Sequence, residues 1–92
     1  MDILKKNYFE LFVLKVSTQI DLKDLDDKFT LLQKQFHPDK FSNSSDVEKR
    51  IALQISSYLN DGYITLRDFI SRVEYILKIN KFNTDESKTL FD

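Results

Sequence analysis

"QFHPDKF", residues 35–41, carries the one histidine and the one proline of a 92-residue chain. Proline lacks an amide proton and biases the residue before it toward extended backbone, so a helix that reaches Phe36 must stop at His37. Both flanks are helical in pattern. Upstream, Leu22, Leu25, Phe29, Leu32 and Phe36 recur at steps of three and four, a narrow apolar seam over 22–36. Downstream, Ser45 with Glu48 forms the capping-box pattern S-x-x-E and starts a new helix at Asp46. The spacing predicts two amphipathic helices in an antiparallel hairpin, joined by a loop "DKFSNSS", with His37, Pro38 and Asp39 at the turn.

Two shorter segments flank the hairpin. Asn7 with Glu10 caps a first helix over about Tyr8 to Leu14, whose Tyr8, Phe9, Leu11 and Phe12 surround most of its cylinder. Asp21 caps the second helix, and Ile20 with Leu25 has the spacing of a hydrophobic staple. The third helix is expected from Asp46 to about Leu66, burying Ile51, Ala52, Ile55, Leu59, Gly62, Tyr63 and Leu66. Gly62 costs about 1 kcal/mol against alanine in a helix interior, which points to close approach by a neighbour. A fourth helix over Asp68 to about Ile79 places Phe69, Ile70, Val73, Ile76 and Leu77 on one face. The stretch "NKFNTDESKTLFD" loses periodicity, so residues 1–80 are expected to form the domain and 81–92 a tail or the start of a linker.

Eight Phe, four Tyr, one Gly and one Pro leave large apolar surface to bury and little loop, so the expected class is all-α. Fourteen basic and fifteen acidic residues give a net charge of −1, which disfavours nucleic acid as a partner. No apolar run is long enough to span a membrane, and the start lacks the pattern of a signal or transit peptide. Zero cysteines remove disulfides, thiolate metal sites and cysteine nucleophiles. A cytoplasmic protein is the expectation.

His37 beside Asp39 has the composition of a general base, but no nucleophile or glycine-rich phosphate loop accompanies it. His37, Asp39 and Asp46 lack a metal-ligand spacing. Neither an enzyme nor a metal or other cofactor is expected. The plain alternative is that His37 only ends its helix. Against it, His-Pro-Asp arises by chance in roughly one chain in two hundred of this length, and here it falls on a hairpin turn.

"YFELF" before the hairpin and "HPDK" at its turn resemble the J-domain of DnaJ-type co-chaperones. "LQKQFHPDKF", "LNDGYITLRD" and "RVEYIL" narrow the resemblance to the iron–sulfur cluster co-chaperones of the HscB, or Jac, type, over about residues 7–92. The resemblance implies stimulation of the ATPase of a DnaK-type chaperone, usually the dedicated partner HscA. The family motif carries over onto His37, Pro38 and Asp39. Proline would hold the turn so that an anionic Asp39 meets a partner arginine. Lys34 and Lys40 near the tip, then Lys28 and Leu31, are further candidate contacts.

Some positions depart from the family pattern. Asp24, Asp26 and Asp27 make the first half of the second helix acidic, while Thr30, Leu31 and Gln35 stand where the broader family is often basic. Val13 replaces a usual glycine and Phe69 a usual proline, which puts the local turns in question. The family's C-terminal domain, implied to hold the scaffold IscU, has no counterpart in 1–92. Two alternatives stay open: a J-domain for general protein folding, and a helical interaction module with no chaperone partner.

Overall fold

A computed structural model describes residues 2–88, the side chains of 81–88 apart. Its helices are α1 (Tyr8–Leu11), α2 (Leu22–Phe36), α3 (Asp46–Arg67) and α4 (Phe69–Lys88), with 3-10 turns at Ile3–Lys5 and Pro38–Phe41; no strand occurs among the described residues. The class is all-α, as expected. The two 3-10 turns, the second lying where a loop was expected, are additions to the sequence reading. The first helix stops at Leu11 rather than Leu14, and the fourth runs well past Ile79. Residues 89–92 of the expected tail lie outside the described residues.

Each start signal acts as its spacing implies. Asn7 accepts from the Glu10 amide while the Glu10 carboxylate accepts from that of Asn7, both at 2.8 Å. Asp21 accepts from the Asp24 amide, and Ser45 and Glu48 close the second capping box. Asp68 ends α3 in extended conformation and accepts from the Ser71 amide and hydroxyl at 2.9 and 3.0 Å. Those two bonds hold its carboxyl below the usual carboxylate range. One residue thus ends one helix and starts the next.

α3 is the hub, packed against α2, α1, α4 and both 3-10 turns. Phe9, Phe12, Leu25, Leu59 and Leu66 are the largest fully buried side chains, and Phe29, Leu32, Tyr63 and Ile76 pack around them. Gly62 meets the expected close neighbour: a Cβ built on it would lie 2.9 Å from Tyr8 Cδ1 and 3.3 Å from Leu11 Cδ2. α1 therefore crosses α3 where α3 has no side chain.

Leu22 and Ile51 were expected in the core but are exposed, Ile51 lining an open groove with Phe36 and Phe41. The face expected for α4 is also corrected. Phe69, Ile70 and Leu77 are exposed, Val73 and Ile76 are half-buried as expected, and Arg72, Tyr75 and Ile79 complete the buried or half-buried side. Two polar demands set this rotation. The Tyr75 hydroxyl accepts from the Tyr8 amide at 2.9 Å while its ring stacks on Tyr8. Arg72, 6% exposed, donates to the carbonyls of Leu66 and Thr18 at 2.6 and 3.0 Å and lies over the Phe69 ring.

Val13 resolves the question its sequence position raised. α1 ends with Leu14 donating to the Phe9 carbonyl and Val13 to that of Glu10, at 2.8 and 3.1 Å, the paired bonds of a Schellman cap. That cap needs a left-handed residue, and Val13 supplies it with φ of 52°. The turn is the one a glycine would make, at a steric cost to a β-branched residue.

Candidate functional site

α2 and α3 run side by side, and the link between them is short and ordered. His37 leaves α2 at φ −59° and ψ 133°, the extended conformation that a following proline favours. Pro38 opens the 3-10 turn, where its missing amide proton is no loss. Lys40 donates to the His37 carbonyl at 2.9 Å, and the Asp39 amide donates to His37 Nδ1 at 3.1 Å. Behind the turn, Phe36 is buried and Phe41 packs on the core, so the tip is anchored from both sides. His37 does end its helix, as the plain alternative held, and it also begins the turn that follows.

The Asp39 side chain is 93% exposed, with the nearest cation-forming atom, His37 Nδ1, 3.6 Å from its Oδ2. Lys34, one helical turn back, and Lys40, in the turn itself, are exposed, and their ammonium groups have no polar partner among the described residues. The tip therefore presents one free carboxylate flanked by two free ammonium groups.

The other two candidates sit further down α2. Lys28 is half-buried: it pairs with Asp24 at 2.9 Å and donates to the Val13 carbonyl at 3.1 Å, bracing the left-handed turn. Leu31 is 67% exposed and lines a shallow apolar groove with Val13, Leu32 and Gln35. Val13 was singled out in the sequence only as a departure, since nothing in sequence spacing brings residue 13 beside residue 31.

The acidic run that departs from the broader family pattern is neutralised within the fold. Asp24 takes Lys28, Asp27 takes Lys23 at 2.9 Å, and Asp26 accepts from the Tyr63 hydroxyl and Arg67 Nε at 2.7 and 3.0 Å. A second polar clasp crosses the hairpin, where Gln33 donates to Asn60 Oδ1 and accepts from the Ser56 hydroxyl. Among the described residues no group of three or more His, Cys, Asp or Glu side chains could hold a metal ion, so His37, Asp39 and Asp46 do not converge. No described helix is long and apolar enough to cross a membrane.

No protein-family model matches the chain. Similar proteins are nonetheless clear. A co-chaperone protein HscB homolog from Colwellia psychrerythraea is 49% identical over 71 residues, 77% of this chain and 41% of the relative. One from Shewanella loihica is 44% identical over 87 residues, 94% of this chain and 50% of the relative. Among solved structures, HscB from Vibrio cholerae superposes with a TM-score of 0.81 at 41% identity, covering 83% of this chain and 46% of that one. Human co-chaperone HscB gives the same TM-score at 36% identity, covering 83% of this chain and 39% of its own. A helical hairpin of this shape, bearing His-Pro-Asp at its turn, is a J-domain. Within that class the chain is similar, over most of its own length, to the HscB co-chaperones. It spans about half the length of the curated relatives it matches.

Proposed function

We propose that this chain is the ATPase-activating part of a co-chaperone that serves iron–sulfur cluster protein maturation in the cytoplasm. In this reading it docks through the C-terminal half of α2 and the His37-Pro38-Asp39 turn onto a DnaK-type chaperone, HscA by preference, and stimulates its ATP hydrolysis. It performs no chemistry of its own. Asp39 pairs with a partner arginine, Lys34 and Lys40 steer the approach, and Leu31 adds apolar contact at the side. Lys28 contributes by holding the Val13 turn in place. Residues 1–80 act as the J-domain, and contact with the IscU scaffold falls to sequence beyond it.

The observation that carries the reading is the 93% exposed Asp39 carboxylate on an anchored turn. A charge held outward in this way is available to a partner without prior loss of an internal contact. Removing the charge at constant shape tests it. Asp39→Asn should lower stimulation of the chaperone ATPase by at least about tenfold, the loss of a charge-assisted contact of roughly 1.5–3 kcal/mol. Its melting temperature should stay with that of the parent. Equal stimulation by the two proteins refutes the mechanism, and equal activity toward HscA and DnaK would favour a general J-domain.

A further inference from the structure

The contact between His37 and the Asp39 backbone gives the histidine a task distinct from touching a partner. Pro38 brings no amide proton, so the Asp39 amide is the first donor the 3-10 turn must satisfy. His37 Nδ1 satisfies it at 3.1 Å. A backbone N–H always donates, so in this contact Nδ1 accepts, which is the tautomer with its proton on Nε2. The Asp39 Oδ2 lies 3.6 Å from the same nitrogen, beyond hydrogen-bond length. The ring thus holds the backbone of Asp39 and leaves its carboxylate free. Asn7, Asp21 and Ser45 cap the α-helices with an oxygen that accepts from the amide three residues on, one further than here.

We propose that His37 is a positioning residue: its neutral imidazole caps the 3-10 turn and thereby aims the Asp39 carboxylate at the chaperone. The inference rests on the function proposed above, in which Asp39 is the group the partner reads. It predicts which substitutions the site accepts. Asparagine places its Oδ1 two bonds from Cβ, as histidine places Nδ1, and can accept from the same amide. Glutamine carries its oxygen one carbon further, and alanine has no acceptor.

His37→Asn, His37→Gln and His37→Ala should be compared with the parent by ATPase stimulation of an HscA-type chaperone and by NMR of the chain alone. Asparagine should retain stimulation to within about twofold, while glutamine and alanine lose about fivefold or more, the effect of a missing cap. In the chain alone, long-range nitrogen correlations should show the parent histidine protonated on Nε2. The Asp39 amide should keep its shift and slow exchange in the asparagine variant and lose both in the alanine variant. Three results overturn the proposal: an asparagine variant that is folded yet as weak as alanine, glutamine and alanine variants as active as the parent, or a parent histidine protonated on Nδ1. A parent chain that stimulates no chaperone instead overturns the proposed function itself, and the positioning role falls with it.

Discussion

At the base of the hairpin, polar groups are paired with one another; at its tip they are left free. Asp24, Asp26 and Asp27 take Lys28, Arg67 and Lys23, and the buried Arg72 closes two carbonyls left open at Leu66 and Thr18. Lys34, Asp39 and Lys40 carry the same kinds of charge without such pairing among the described residues. Both ends belong to the same two helices. Charge composition along α2 therefore says little about what a partner meets, because one half of that charge is already paired within the fold.

If that division is real, substitutions at the base cost stability and those at the tip cost function. Arg72→Ala should have the largest effect, on the order of 3 kcal/mol, since it leaves two carbonyls without their donor and opens space against Phe69. Chemical denaturation would read it, and a loss under about 1 kcal/mol would show that water replaces the guanidinium at little cost. Next, Lys34→Glu with Lys40→Glu should slow association with the chaperone about tenfold at low salt, and the deficit should shrink as salt rises. Lys23→Glu, on the paired half, is the control and should leave association within about twofold. An equal loss from both would erase the distinction between the two ends. The smallest effect is expected at Val13. Val13→Gly should raise stability by about 0.5–1 kcal/mol by relieving a left-handed β-branched residue, against the extra freedom glycine gives the unfolded chain. A decrease would mean that the Val13 side chain, although 78% exposed, stabilises the fold through the groove it lines with Leu31.

The parts of the molecule that could be read from sequence are those governed by neighbours in the chain. Caps at Asn7, Asp21 and Ser45 act over three residues, and the α2 seam from Leu25 to Phe36 repeats at helical period. The close approach at Gly62 was legible because glycine inside a helix needs a reason. The α4 face was legible only in part, because Arg72 counts as charged in any periodicity, although it buries its stem and directs its guanidinium to backbone carbonyls. Pairing of Asp26 with Arg67 crosses from one helix to the other, and no rule of spacing along a single helix finds it. At the candidate site, the motif itself was plain. The role of His37 as acceptor for Asp39 depended on backbone angles that only the folded turn supplies.

The placement of the tyrosines has an optical consequence. With no tryptophan and four tyrosines, phenol absorbance and emission come from Tyr8, Tyr58, Tyr63 and Tyr75. Tyr63 stacks on Phe29 across the hairpin, with ring centroids 4.0 Å apart, while Tyr8 lies between Tyr58 and Tyr75. Burial is the first cause that pushes the hydroxyls of Tyr8, Tyr58 and Tyr75 above the ordinary phenol range. Ionisation absorbance in alkali therefore reports on the packing of α1 and α4 against α3 without any added label. The tip carries none of these chromophores, so binding there leaves the signal unchanged unless the body of the domain moves.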